Sequence, residues 1–307
     1  MCRVLLYAGN ELPLEDLLYA PSSSLVRQSW DARQLGMLNL GGFGLAAWDR
    51  SSHRAEVPYS YRSTTLPVFD ANLRSLSEKV RASCVLAHVR GVPYEVHDGY
   101  GEHNLHPFQY RGYAWAMAHN GWLTGYPRMR QDLLGHIRPD VAPQMRGTSD
   151  SEGVYALVMS LLEDPRSDDP DALVAALLSA LRIIRQVRRA HGLDLGSALN
   201  LFFANGRDCV ALRYAFDFGC YPTDDPKGIS EMFLRYASLW YTVGERFGAE
   251  GGEWRMTGDP ARNDSVLIAS EPLTHDTTGW VEVPEYTVVV ARRRPDGVHV
   301  KATPVDA

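Results

Sequence analysis

The sequence contains no apolar run that approaches the ~20 residues a helix needs to cross a bilayer. Its N-terminus also lacks the layout of a signal peptide, because RVLLYA is followed directly by the polar stretch GNELPLED. We therefore expect a cytoplasmic protein that has no membrane partner.

Cysteine is scarce. The four cysteines of this 307-residue chain include no CxxC pair, which argues against a disulfide framework and against a cysteine-based zinc site. The net charge is -6, and no basic run interleaved with aromatic residues is present. We expect no nucleic-acid partner, and small molecules or proteins fit the composition better.

The order of apolar patterns predicts the fold class. Alternating or β-branched stretches predict strands at 2–8, 43–49 and 84–90, and strand patterns dominate again from residue 197 onward. Between them lie two predicted helices, 149–164 and 170–191. Strands, then helices, then strands suit an α+β fold in which two packed antiparallel sheets lie between helical layers.

The domain organisation is predicted from the same patterns. A hydrophobic content of 45% is ample for a large core. We expect a single domain over residues 1–307, with insertions or loops at 214–263, where Gly, Pro and Asp cluster.

Cys2 follows the initiator methionine at the start of a predicted strand. Three interpretations of this cysteine compete: an ordinary strand residue, a site of lipidation or targeting, or a nucleophile. Lipidation is disfavoured because a lipoprotein cysteine follows a long apolar stretch. If Met1 is removed, the thiol and a free α-amine supply nucleophile and base from one residue. Taken alone, the residue is more often a small buried strand residue.

Three further motifs offer parts of an acyl-transfer site. In HNG, the amide of Asn120 and the N–H of Gly121 can form an oxyanion hole, although such a dipeptide alone more often marks a turn. Arg90 can bind a carboxylate with two hydrogen bonds, or form a structural ion pair. Asp150 can accept from a substrate ammonium, or simply stabilise the first turn of its helix.

The positions of the histidines in the sequence favour structural roles for them. His103 and His106 lie in a Gly-, Pro- and Asn-rich loop without surrounding carboxylates or cysteines, so we expect no metal. His88 and His119 are interpreted as core histidines that bond to the backbone.

The motifs MCR, NLGGFG, AHVR, NLHPF, AHNG and TSDSE occur in this order. Together they resemble the class II glutamine amidotransferases, which belong to the N-terminal nucleophile hydrolases. The stretches LNLFFANG and VLIASEPLTHDTTGWVEVP resemble the C-terminal half of stand-alone members. Such members include the γ-glutamyl amide hydrolase of ergothioneine biosynthesis and an amidotransferase-like subunit that degrades glutathione.

The resemblance implies an N-terminal nucleophile fold, no cofactor, and a role for each matching residue. The nucleophile falls on Cys2 and the oxyanion hole on Asn120 and Gly121. The residue that binds the substrate carboxylate corresponds to Arg90, and the acceptor for the substrate α-ammonium corresponds to Asp150. The resemblance further implies that the thiolate attacks a γ-glutamyl amide, that the Cys2 amine carries the proton to the leaving amine, and that water hydrolyses a thioester.

The loop residues Asn104, His106 and Pro107 match the family's NLHPF motif and would shape the loop that closes over the site, with His106 structural and not a base. Two positions depart from the family pattern. Pro93 stands where a threonine is expected after the arginine, and Gly41 replaces an aspartate in NLGGFG. Recognition of the amino-acid end of the substrate is thereby put in doubt.

The resemblance and the absence of a second catalytic domain favour a stand-alone hydrolase of a γ-glutamyl amide. One alternative is the glutaminase subunit of a two-protein amidotransferase, with a synthetase or peptidase as partner. The other is a binding module that kept the fold and lost the chemistry.

Overall fold

The computed structural model describes residues 2–34, 38–91, 101–220 and 225–306. Within these ranges the strands are β1 (Arg3–Pro13), β2 (Phe43–Trp48), β3 (Tyr59–Ser63), β4 (Arg81–Val89), β5 (Ala116–Trp122), β6 (Ser197–Ala204), β7 (Cys209–Arg213), β8 (Ala215–Phe216), β9 (Trp240–Gly244), β10 (Arg246–Glu250), β11 (Glu253–Thr257), β12 (Ser265–Ala269), β13 (Val281–Glu282), β14 (Thr287–Arg294) and β15 (Gly297–Pro304). The helices are α1 (Glu15–Leu18), α2 (Ala71–Ser77), α3 (Tyr126–Leu134), α4 (Asp150–Ser160), α5 (Pro170–Ala190) and α6 (Pro226–Tyr236).

The strands form two large antiparallel sheets. The first has seven strands in the order β13-β9-β12-β1-β4-β2-β3. The second has six, in the order β15-β14-β7-β6-β5, with β8 also pairing with β6. Strand β1 is central in the first sheet and β5 is at the edge of the second, so the two strands that carry the candidate catalytic residues belong to different sheets.

Three apolar clusters separate the layers. One lies between the sheets and contains Val4 and Leu6 of β1 together with Ala118 of β5. A second packs the other face of the second sheet against α3, α4 and α5. The third packs the outer face of the first sheet, including Leu5 and Tyr7, against α1 and α2. The predicted four-layer α+β sandwich is confirmed.

The two long helices begin at caps that their sequences encode. The Ser149 hydroxyl accepts the Glu152 N–H at 3.2 Å ahead of α4. Asp169 accepts the Asp171 N–H at 3.1 Å ahead of α5. Both predicted helices are confirmed, and α4 ends earlier than expected, at Ser160.

The region 214–263 contains regular structure where the sequence indicated insertions or loops. Strands β10 and β11 pair as a hairpin, and helix α6 lies before β9. Asp225 caps α6 by accepting the Gly228 N–H at 3.0 Å, and a proline follows the cap, which is a helix-start signature that the sequence reading missed. None of the helices in the described ranges combines the length and apolar composition needed to span a membrane.

Candidate active site

Cys2 lies immediately before β1. Arg3 pairs with Val89 across β1 and β4, so Cys2 lies opposite Arg90 where β4 ends. Side chains alternate along a strand, and Val4 faces the other sheet, so Cys2 is on the same side. Its side chain is buried, and Sγ accepts the Gly91 N–H at 3.4 Å. The sulfur is thereby placed between the two sheets, at one end of the sandwich.

Asn120 faces the same interior from β5. Its Nδ2 donates to the Ser270 hydroxyl at 3.2 Å and to the Tyr236 carbonyl at 3.3 Å. The Ser270 hydroxyl also accepts the Val4 N–H at 3.1 Å. One serine therefore connects the amide of Asn120 to β1, the strand that directly follows Cys2.

The N–H of Gly121 points to the open edge of β5. The N–H groups of His119 and Leu123, two positions away on either side, point to that edge and donate to His106 Nδ1 at 3.2 Å and Asp150 Oδ2 at 2.7 Å. Backbone direction alternates along a strand, so the Gly121 N–H shares this direction. Within the described ranges no acceptor for it is present.

Glycine is required at position 121 by its surroundings. A Cβ there would lie 2.0 Å from the Ala198 carbonyl oxygen and 2.6 Å from His119 Nε2. The His119 ring bonds the Ala198 carbonyl through Nε2 at 3.1 Å and the Ser151 hydroxyl through Nδ1 at 2.9 Å. A carbonyl only accepts, so Nε2 carries the proton of the neutral ring. Burial lowers the pKa of His119, against the opposing effect of Asp150.

His106 supports β5 by accepting the His119 N–H through Nδ1. Its ring lies 4.1 Å from the His88 ring between centroids. Burial, followed by the neighbouring His88 and Arg90, lowers the pKa of His106 well below its usual value. The neutral ring accepts the His119 N–H just before the candidate oxyanion residues.

Of the two histidines interpreted as bonded to the backbone, His119 is confirmed. For His88, a hydrogen bond to the His119 backbone opposes the lowering of its pKa by burial, and its ring packs against His106.

Arg90 is fixed by its own backbone and by the neighbouring loop. Its N–H donates to the Gly42 carbonyl at 2.9 Å, and its carbonyl accepts the Gly41 N–H at 2.7 Å. The guanidinium Nη1 donates to the Asn104 carbonyl at 2.6 Å. Gly41 therefore holds Arg90 through its backbone. Pro93 lies outside the described residues.

Asn104 connects this arginine to the start of α4. Its Oδ1 accepts the N–H groups of Thr148 at 3.0 Å and Ser149 at 3.3 Å, directly before Asp150. Each Asp150 carboxylate oxygen accepts a backbone N–H: Oδ2 from Leu123 and Oδ1 from Ser151, both at 2.7 Å. Asp150 therefore connects the start of α4 to the end of β5. The remaining lone pairs of its carboxylate can accept further hydrogen bonds.

The structure adds contacts from residues for which the sequence indicates no role. Arg3 and Glu271 form an ion pair of 3.1 Å, and Arg3 Nη1 donates to the carbonyls of Cys2 and Tyr236 at 3.1 and 3.3 Å. Ser270 and Glu271 lie in the stretch VLIASEPL, whose resemblance to stand-alone members implies no role for either residue. Tyr236 contributes a backbone carbonyl, for which a sequence carries no signal.

One end of the sandwich contains Cys2, Arg90, Asn104, Asn120 and Asp150. Hydrogen bonds and the register of the paired strands place them there. In the part of the chain that the structure describes, no three histidine, cysteine, aspartate or glutamate side chains come together as a metal site.

Comparison with known proteins adds three findings. The family model for class II glutamine amidotransferases matches residues 26–216. A probable glutamine amidotransferase of Saccharomyces cerevisiae is 29% identical over 97% of this chain and 84% of its own. A γ-glutamyl-hercynylcysteine sulfoxide hydrolase of Mycobacterium tuberculosis is 30% identical over 94% of this chain and 92% of its own.

A similar solved structure is a glutamine aminotransferase class-II domain protein from Silicibacter pomeroyi. It has a TM-score of 0.61 at 20% identity and covers 99% of this chain and 100% of its own. At this identity the likeness supports the fold.

Proposed function

The chain belongs to the class II glutamine amidotransferases, and we propose from this that it is an enzyme that hydrolyses a γ-glutamyl amide and releases glutamate. The observation that carries the proposal is that Cys2 and Asn120 face the same space between the two sheets, where the Ser270 hydroxyl connects the Asn120 amide to Val4, two residues after Cys2. A relative of similar length is named for γ-glutamyl hydrolysis, which favours hydrolysis over amide transfer.

The reaction begins at Cys2 once Met1 has been removed. The free α-amine takes the thiol proton, the sulfur forms a bond to the amide carbonyl carbon, and the carbonyl oxygen becomes an oxyanion. The N–H of Gly121 and Nδ2 of Asn120 donate to this oxyanion. The amine then passes its proton to the leaving nitrogen, the C–N bond breaks, and water hydrolyses the resulting thioester to glutamate and free thiol.

The amino-acid end of the substrate is held by opposite charges. Arg90 pairs with the α-carboxylate of the γ-glutamyl group, and Asp150 accepts from its α-ammonium. Asn104 and His106 do not contact substrate in this scheme. Asn104 orients the Arg90 guanidinium through its carbonyl, and His106 holds the edge of β5 through the His119 N–H.

The proposal extends to the chain as a whole. We propose one domain over residues 1–307, a cytoplasmic location, a small γ-glutamyl amide as the substrate, and no cofactor. A synthetase or peptidase partner that receives ammonia or product belongs to the alternative in which the chain is a glutaminase subunit.

The experiment is glutamate release from glutamine, glutathione and further γ-glutamyl amides by purified protein, with Cys2→Ala beside it. We expect turnover that Cys2→Ala abolishes. Intact mass is measured on the same sample, because a retained Met1 blocks the α-amine. Turnover that appears only after a partner protein is added would support the glutaminase subunit. A des-Met protein inactive with and without partners would support the binding module.

A further inference from the structure

Ser270 continues β12 beyond its last paired residue. Its N–H donates to the Val4 carbonyl at 3.0 Å, and its hydroxyl accepts the Val4 N–H at 3.1 Å. The residue is fully buried. Ser270 is thereby fixed to β1, the strand that directly follows Cys2, so a group that Ser270 binds is also fixed relative to the nucleophile.

The group that Ser270 holds is the amide of Asn120. This amide has two Nδ2 hydrogens, and in the structure one is donated to Ser270 and the other to the carbonyl of Tyr236. The amide Oδ1 is buried and has no partner among the described residues. Rotation about the last torsion of an asparagine is broad, so these two bonds set the direction of the amide.

An oxyanion that accepts from Nδ2 must take one of these two hydrogens. The Ser270 acceptor is fixed by two bonds to β1, whereas the Tyr236 carbonyl belongs to the last residue of α6 and is also shared with Arg3. The Tyr236 bond is therefore the one that is exchanged, and the Ser270 bond is the one that persists.

We propose that Ser270 is a positioning residue for the oxyanion hole: its hydroxyl keeps one Nδ2 hydrogen of Asn120 in place while the other passes from the Tyr236 carbonyl to the oxyanion. Preorganised donors cost no reorientation when charge develops, which is the source of their effect on rate. The role rests on the proposed hydrolysis through Cys2 and deepens it.

Ser265 offers a matched control on the same strand. It is also fully buried, and its hydroxyl accepts the Asn10 N–H of β1 at 3.1 Å. It therefore bridges the same two strands at the opposite end of β12. Ser265→Ala removes a buried bridging hydroxyl, as Ser270→Ala does, without contact to Asn120.

The experiment measures kcat and KM for γ-glutamyl amide hydrolysis in Ser270→Ala, Ser265→Ala, Asn120→Ala and the double variant of Ser270 and Asn120. We expect Ser270→Ala to lower kcat about 10-fold, less than the 10²–10³ that loss of a whole donor costs. KM should be unchanged, because the interaction acts in the transition state. Ser265→Ala should keep kcat within about twofold of the wild type.

The double variant separates a positioning role from a structural one. Ser270 acts through Asn120, so in the Asn120→Ala background Ser270→Ala should lower kcat by less than about twofold. If Ser270→Ala folds poorly, Ser270→Thr retains the hydroxyl and should have a kcat near that of the wild type.

Equal losses of kcat in Ser270→Ala and Ser265→Ala would overturn the role. The same loss of kcat from Ser270→Ala in the Asn120→Ala background as in the wild type would also overturn it. Either result leaves the Cys2-dependent reaction of the wild type intact. Absence of Cys2-dependent turnover in the wild type would instead overturn the proposed function itself, and the two failures are thus distinguished.

Discussion

Arg3 and Glu271 form an ion pair of 3.1 Å from which solvent is excluded. Burial lowers the pKa of Arg3, and the charge of Glu271 opposes that effect. The Glu271 carboxylate also accepts the N–H groups of Arg33 and Gln34 at 3.0 and 3.1 Å. The pair therefore joins the residue after Cys2 to the segment just after β12 and to residues 33–34.

Removal of one partner of this pair should destabilise the fold strongly. Glu271→Ala leaves the Arg3 charge buried and uncompensated, and we expect the free energy of unfolding to fall by ~3–5 kcal/mol. Denaturant unfolding measures the change. Glu250→Ala is the control, since it breaks the exposed pair between Glu250 and Arg255 and should cost at most about 1 kcal/mol. Similar losses in both variants would contradict the prediction.

Asn120→Ala should lower kcat by about 10²–10³, because it removes one oxyanion donor. Asn200 is the matched control. It lies directly opposite Asn120 in β6, is equally buried, and donates Nδ2 to the carbonyls of Ala237 and Ser238 at 2.7 and 3.2 Å. Asn200→Ala should lower the free energy of unfolding and leave kcat within about threefold of the wild type. A loss below threefold for Asn120→Ala would place the oxyanion hole elsewhere.

Arg90→Ala should chiefly raise KM, because a carboxylate clamp binds the ground state and the transition state alike. Steady-state kinetics with a γ-glutamyl amide tests this. Arg81 lies at the other end of the same strand, where it pairs with Glu11 at the surface, so Arg81→Ala should leave KM unchanged. An unchanged KM in Arg90→Ala would reject the arginine as the carboxylate contact.

Three buried histidines should make stability depend on pH. Burial lowers the pKa of His88, His106 and His119, so below pH ~6.5 the unfolded chain binds protons that the folded chain does not. Their contribution is complete above that pH and is lost as the pH falls. The slope is at most about 1.4 kcal/mol per pH unit for each histidine.

Denaturant unfolding between pH 7.5 and 5.0 tests this dependence, a window that brackets the histidine reference value of ~6.5. His106→Asn keeps an acceptor for the His119 N–H and should flatten the slope. His53 is exposed, so His53→Gln should leave the slope as in the wild type. A free energy of unfolding that rises on acidification would contradict the assignment of neutral buried rings.

The sandwich and its two long helices could be predicted from the sequence because their signals are local. Alternation predicted β1, β2 and β4, and the Ser149 and Glu152 spacing predicted the start of α4. The amphipathic stretch FDANLRSLSEKVRA predicts a helix over 69–82, and the helix that forms there, α2, is shorter and spans Ala71–Ser77. The pattern marks the apolar face, whereas the ends depend on tertiary contacts.

The site was predictable in part, for a physical reason. The side chains of Cys2, Arg90 and Asn120 carry the chemistry, so their types and order gave a signal. The contacts that orient them are largely backbone groups, such as the Tyr236 carbonyl and the Leu123 N–H that binds Asp150. Every residue except proline has both groups, so only the fold shows which ones meet.

The Tyr236 carbonyl gives the oxyanion hole a neutral occupant in the resting protein. Under the proposed mechanism, a substrate carbonyl that takes its place exchanges one neutral acceptor for another, with little change in free energy. The advantage arises only when negative charge develops, because a hydrogen bond to a charged acceptor is roughly twice as strong. A donor that is already occupied thus discriminates between the ground state and the transition state, which is the condition for a higher kcat.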